Sequence, residues 1–154
     1  MANIVFTRVD NRLVHGQVGC TWTSSLGANL LVVADDVVAN DSLQQDLMGI
    51  TAQSSGVGIR FFSIDKTIEI INKASAKQKI FLVVRDLQSA CRLVKGGVPI
   101  AKLNLGNLHF SEGKRKLSSK VYVDDNDMAY IEEIKQLNVE VFIQDVPQDD
   151  IKKL

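Results

Sequence analysis

Residues 80–97 read Ile80-Phe81-Leu82-Val83-Val84-Arg85-Asp86-Leu87-Gln88-Ser89-Ala90-Cys91-Arg92-Leu93-Val94-Lys95-Gly96-Gly97. The first five are apolar without alternation, the pattern of a strand covered on both faces. Asp86 then offers a helix cap, and Leu87, Ala90, Cys91 and Val94 recur at helical spacing. Gly96-Gly97 stops that helix. Strand, cap, helix and stop make one β–α unit.

The unit recurs outward in both directions. Apolar runs at residues 4–7, 30–34, 59–63, 102–105, 120–123 and 139–143 join 80–84 to give about seven strands. Asp41 or Ser42 caps a helix whose inner face is Leu43, Leu47 and Ile50. Asp65 caps the next, with Ile68, Ile71 and Ala74, and Asp125 or Asn126 precedes Ile131 and Ile134. Residues 17–26 are helical too, with Gly27 as the stop. Such repetition predicts an α/β fold: an open, mainly parallel twisted sheet of about seven strands with helices on both faces. Residues 106–119 break the pattern. They lack a helical period and hold Gly113 and Lys114-Arg115-Lys116, so a hairpin-like excursion with an antiparallel strand is expected. No repeat, low-complexity tract or linker divides the chain, and residues 1–154 are read as a single domain.

Composition excludes several classes. The chain is 45% hydrophobic and 23% charged, which suits a folded core rather than disorder. Its 18 basic and 18 acidic side chains cancel, so no bulk attraction to nucleic acid is expected. Cys20 and Cys91 have neither a disulfide framework nor a metal spacing around them. Met1-Ala2-Asn3 runs directly into a strand, so no signal peptide is expected. The apolar runs fall far short of the ~20 residues that span a bilayer. A cytoplasmic protein is expected, with any membrane role supplied by a partner.

In open α/β sheets ligands sit beyond the carboxyl ends of the strands. The candidates there are Arg8, Asp10, Arg12 and His15 after the first strand, Asp35 and Asp36 after the second, Arg85, and Gly106-Asn107. Gly96 to Lys102 is not a P-loop, because it lacks glycine before the lysine and leads into a strand. The first strand-to-helix turn lacks G-x-G-x-x-G, and no zinc spacing, H-E-x-x-H or G-x-S-x-G occurs.

The segment after the first strand reads Arg8-Val9-Asp10-Asn11-Arg12-Leu13-Val14-His15-Gly16-Gln17-Val18. A lone histidine there is ordinarily a hydrogen-bonded loop residue. Its neighbours change that reading. A phosphoryl carrier needs a neutral imidazole nitrogen as nucleophile, with the other nitrogen held by an acceptor. It also needs donors for the phosphoryl group. Arg12 and Arg8 supply planar, permanently charged donors. Gly16 permits close approach of the backbone, and the amides opening the next helix point outward. Asp10 holds the loop, either through Arg12 or as an Asx-turn. Phosphoryl transfer rests on positioning and charge stabilisation, so no metal and no cofactor is expected.

Asp10-x-Arg12-Leu13-x-His15-Gly16-Gln17-Val18 resembles the IIB subunits of the mannose/fructose/sorbose family of the bacterial phosphoenolpyruvate:sugar phosphotransferase system (PTS). The resemblance covers nearly the whole chain. It includes Gly27-Ala28-Asn29, Ala34-Asp35-Asp36, Val94 to Pro99, Leu103 to His109 and Val121-Tyr122-Val123-Asp124, and is nearest the N-acetylgalactosamine/galactosamine branch. It implies an enzyme, a phosphotransferase in which His15 is the phosphorylated histidine, at Nδ1. Arg12 matches the active-site arginine, Asp10 the loop acid, Arg8 a further phosphate contact, and Gly16 and Gln17 the phosphate loop. Asn11 is given no role. The implied partners are a IIA subunit as donor, membrane subunits IIC and IID, and the sugar, with no nucleic acid. Localisation at the inner face of the membrane through IIC and IID follows. A homodimer is left open. The rival readings are a small nucleotide-binding enzyme and a non-catalytic regulatory or small-ligand-binding α/β module.

Overall fold

The structure is a computed structural model that describes residues 1–154, the side chain of Gln17 excepted. Seven strands form the main sheet: β1 (Asn3–Asp10), β2 (Leu30–Ala34), β3 (Gly58–Phe62), β4 (Lys79–Val84), β5 (Lys102–Asn107), β8 (Glu140–Ile143) and β9 (Lys152–Lys153). Their order is β3-β2-β4-β1-β5-β8-β9. Every pairing is parallel except β8 with β9. β6 (Arg115–Ser118) and β7 (Val121–Val123) form a separate antiparallel pair. β6 lies in the excursion expected at residues 106–119, and its partner β7 is the run expected as a strand of the main sheet. The run at 120–123 therefore lies outside the main sheet, and the C-terminal β9 takes the seventh place.

The helices are α1 (Thr23–Leu26), α2 (Ser42–Ser54), α3 (Ile64–Ile70), α4 (Leu87–Lys95) and α5 (Asp125–Gln136). A π-helical turn, Gln17–Trp22, runs straight into α1, and Gly27 ends it at φ 65°. The connections from β1 to β2 to β3 step one way across the sheet, and those from β3 through β4 and β5 to β8 step back. Right-handed crossovers then put the two sets of helices on opposite faces. The 17–26 helix and α2 cover one face, around Phe6, Trp22, Leu31 and Phe81. Helices α3, α4 and α5 cover the other, around Val32, Leu82, Leu87 and Ile131.

Caps fall close to their expected places. Asp41 caps α2 and Asp86 caps α4. Ser63 caps α3, leaving Asp65 in the first turn, and Asp124 forms a capping box with Asp127 on α5. One expectation fails in phase. Leu43, Leu47 and Ile50 are 68%, 58% and 64% exposed, while Met48 and Ala52 bury α2 against the sheet. The helix sits close against the π-helical turn, where a Cβ on Gly19 would overlap Thr51. That approach fixes which side of α2 faces inward.

Connections from β1 and β5 leave in opposite directions, so a crevice opens between their carboxyl ends, the usual place for a ligand. Asp10 and Asn107 pair at its floor, after a register shift that skips Gly106.

Candidate active site

β1 ends on Asp10, a fully buried carboxylate. Its Oδ2 accepts hydrogen bonds from Arg8 Nε at 3.2 Å and Asn107 Nδ2 at 3.1 Å, and lies 2.8 Å from His15 Nε2. Its Oδ1 accepts the backbone N–H of Arg12 at 2.9 Å. Burial alone would raise the Asp10 carboxyl. The hydrogen bonds from His15, Asn107 and the Arg12 amide, with the charge of Arg8, outweigh burial and hold it below its usual range. An ionised carboxylate only accepts, so Nε2 of neutral His15 carries the proton and Nδ1 keeps its lone pair.

The loop is pinned around this carboxylate. Leu13 N–H donates to the Asp10 carbonyl at 2.9 Å. Leu13 holds φ 55° with its side chain fully buried, a sparsely populated conformation kept in place by the core around it. Gly19 N–H donates to the His15 carbonyl at 2.7 Å. The His15 side chain is 15% exposed, so one edge of the ring reaches solvent.

Arg12 is exposed and has no carboxylate partner among the described residues. Its side chain lines a groove of about 310 Å³ with Asn107, His109, Phe110, Lys120 and Tyr122. A Cβ added to Gly16 would meet nothing within 4 Å, and Gly16 has an ordinary φ of −49°. The space outside the loop is therefore open to an incoming group. The side chain of Gln17 lies outside the described residues.

Arg8 departs from its expected place. It is 0% exposed and lies beneath Asp10, where no phosphoryl group at the surface reaches it. Its Nη1 donates to Asn104 Oδ1 at 2.8 Å and to the carbonyls of Gln144 and Asp145. Its guanidinium stands 5.4 Å over the Trp22 ring. Burial lowers the Arg8 pKa against the opposing charge of Asp10. A Cβ on Gly106 would overlap the guanidinium, so glycine is required there by close approach.

None of the other candidates is hydrogen-bonded to the His15 side chain among the described residues. Asp35 accepts two hydrogen bonds from Arg85 at 3.1 Å and one from Val38 N. Asp36 accepts from Ile64 N and pairs with Arg92. His109 is exposed on the rim. Among the described residues no group of three or more His, Cys, Asp or Glu is placed to hold a metal ion.

The family model for the PTS system sorbose subfamily IIB component matches residues 4–154. The chain belongs to this family. It is 62% identical to the N-acetylgalactosamine-specific phosphotransferase enzyme IIB component 1 of Escherichia coli (strain K12), over 99% of this chain and 96% of that protein. A crystal structure of an E. coli N-acetylgalactosamine-specific IIB component 1 superposes with a TM-score of 0.96, at 62% identity over 99% of each chain. An N-acetyl-galactosamine IIB component from Streptococcus pyogenes superposes at 0.93, with 41% identity over 100% of this chain and 95% of that one. The mannose-specific EIIAB component of E. coli is 30% identical over 98% of this chain and 47% of its own length. This IIB component is thus a phosphotransferase component like its relatives.

Two asparagines of this IIB component, Asn11 and Asn104, carry no role in the sequence reading, and a third, Asn107, is a candidate there only through its place after a strand. Asn11 donates through Nδ2 to the Arg85 carbonyl at 2.7 Å and accepts the His109 N–H at Oδ1, also at 2.7 Å. It thereby ties together the chain ends after β1, β4 and β5. Asn104 and Asn107 hold Arg8 and Asp10 from β5. Their signal was legible: two amides in a buried strand, Leu103-Asn104-Leu105-Gly106-Asn107, need polar partners inside.

Proposed function

We infer that this IIB component carries a phosphoryl group on Nδ1 of His15 between a IIA subunit and a sugar. The observation that carries this reading is the 2.8 Å contact of His15 Nε2 with a buried carboxylate, which leaves Nδ1 as the free nucleophile. The Nδ1 lone pair attacks the phosphorus of the IIA phosphohistidine. The new N–P bond forms as the donor's N–P bond breaks, and the donor imidazole leaves neutral. Asp10 balances the positive charge that phosphorylation puts on the His15 ring. Arg12, unpaired at the groove, neutralises the phosphoryl oxygens, aided by the amides that open the helix at Gly16. Gln17 belongs to the same phosphate loop. Arg8 acts through Asp10 as a positioning residue. In the second step a sugar hydroxyl attacks phosphorus, the His15 N–P bond breaks, and the hydroxyl proton passes to solvent.

The sugar is N-acetylgalactosamine or a related hexose. The support is the naming of two relatives for that sugar at 62% and 44% identity, against 31% for a sorbose-specific one. The IIA donor is supported by mannose-specific relatives that join A and B components in one chain. Among the described residues no helix is long and apolar enough to cross a membrane. Membrane subunits IIC and IID are the partners proposed to bring the chain to the inner face of the membrane.

The test is incubation with phosphoenolpyruvate, the two general carrier proteins and a cognate IIA, read by intact mass. One acid-labile phosphate on the wild type and none on His15→Ala is expected. An unlabelled wild type with a competent donor, or a labelled His15→Ala, overturns the reading.

A further inference from the structure

Away from His15, under the opposite face of the sheet, lies a pocket that phosphoryl transfer does not use. β3 is the edge strand at that side, and α3 above it is only seven residues long. The backbone then bends at Ile70 (φ −113°, ψ −13°) into a single tight turn, Ile71–Lys73. A cavity of about 420 Å³ opens between this turn and the strands, within the range of small-molecule sites. Its floor is Leu30, Val32 and Ile80, and Phe62 and Ile70 wall it.

Its rim is cationic. β3 presents Gly58, Arg60 and Phe62 to this face, with Arg60 in register opposite the buried Val32. Here Leu30 packs close over Gly58, and Arg60 brings a charge to the edge of an apolar floor. Lys66 and Lys73, seven apart with Ile70 between them, supply two more charges from the other side. No acidic residue lines the cavity. Lys66 has a loose carboxylate partner in Glu69 at 3.8 Å; among the described residues Arg60 and Lys73 have no carboxylate partner, and Arg60 Nη1 donates to the Ile59 carbonyl at 2.8 Å.

We propose that this pocket binds a small amphipathic anion: a carboxylate, sulfonate or phosphate ester on an apolar body. The apolar part lies on Val32 and Ile80, and the anionic head sits between Arg60, Lys66 and Lys73. A wholly apolar ligand would strip water from three cations without replacing it. An inorganic anion would leave the apolar floor wet. Only a molecule with both parts satisfies both surfaces. This site is independent of the phosphoryl-carrier reading.

The full chain, labelled with ¹⁵N, is titrated with decanoate below its micelle concentration, with decanol and with inorganic phosphate. Decanoate is expected to give saturable, one-site amide shifts centred on Arg60, Ile70 and Lys73. Decanol and phosphate are expected to bind at least about tenfold more weakly. Lys66→Glu/Lys73→Glu, which alters only exposed side chains, should weaken decanoate by about tenfold with the amide spectrum otherwise unchanged. Non-saturable shifts, shifts centred on the exposed leucines of α2, or equal binding by the charge-reversed variant overturn the proposal. So does sedimentation with phosphatidylglycerol vesicles when decanoate produces no shift, an outcome that assigns the cations to a lipid surface.

Discussion

Of the four groups that meet the Asp10 carboxylate, two decide its role. It orients His15 from above and compensates the buried Arg8 from below. Asp10→Asn removes both roles while keeping the shape. The Arg8 charge would then be left with only Asp145, 3.7 Å from Nη2. A buried charge stripped of its partner costs about 3–5 kcal/mol, so urea unfolding should show a loss near that size. Without the anchoring acceptor the His15 tautomer is no longer fixed, and the rate of phosphorylation should fall by on the order of a hundredfold or more. The pH dependence has a definite sign. The folded Asp10 carboxyl lies below its unfolded value, so its contribution is complete above about pH 4 and fades as pH falls through the folded value. Stability of the wild type should drop more steeply below about pH 4 than that of Asp10→Asn. Gly106→Ala tests the same buried group from β5. Its new methyl meets the Arg8 guanidinium, and a Tm loss equivalent to about 1–3 kcal/mol is expected. The residue types of this site were legible in the sequence. The depth of Arg8 was not, because the apolar run ends at Thr7 while the strand continues to Asp10. In a central strand covered on both faces, three further residues of strand turn an expected loop arginine into an interior one.

Helix α2 shows how a correct period can carry the wrong phase. Its apolar residues fall on two stripes, Leu43-Leu47-Ile50 and Met48-Ala52, and spacing alone does not rank them. Tertiary approach decides: Thr51 meets Gly19 of the π-helical turn, and Met48 and Ala52 follow it inward. Leu47→Ala should therefore change unfolding free energy by no more than about 0.5 kcal/mol. Met48→Ala should cost about 2 kcal/mol or more. Equal losses in the two urea curves would mean that the longer aliphatic stripe is covered in solution. The caps were nearer the mark because their chemistry is local. A carboxylate or hydroxyl ahead of an apolar period is a cap wherever the helix docks, and only the exact residue moved, from Asp65 to Ser63 and from Asp125 to Asp124.

The alternation of strand and helix gave the class of fold, since it leaves few ways to bury both faces of a parallel sheet. Strand order was not legible in the same way. Sequence neighbours β1 and β2 are separated by β4, and the edge is closed by β9, a two-residue strand with no apolar signal. That order matters to the site because it brings three chain ends together. After β1 stands Asn11, after β4 Arg85, and after β5 His109, and the Asn11 amide bonds to the backbone of the latter two. Asn11→Ala leaves His15, Arg12 and Asp10 in place but removes both ties. It leaves the Arg85 carbonyl and the His109 N–H without their partner, at about 1–3 kcal/mol if neither finds water. Because the three loops lie at the surface, water can reach part of this deficit, and the larger effect should be on order rather than on global stability. Hydrogen exchange at Leu108, His109 and Phe110 should accelerate in Asn11→Ala, with the slow exchange of β2 and β4 unchanged. The rate of phosphorylation should fall by about tenfold, since a displaced loop sacrifices part of the alignment on which transfer depends. If exchange accelerates while the rate is unaltered, the β5 end serves only as a rim. If neither changes, the Asn11 side chain takes no part in holding the His15 loop.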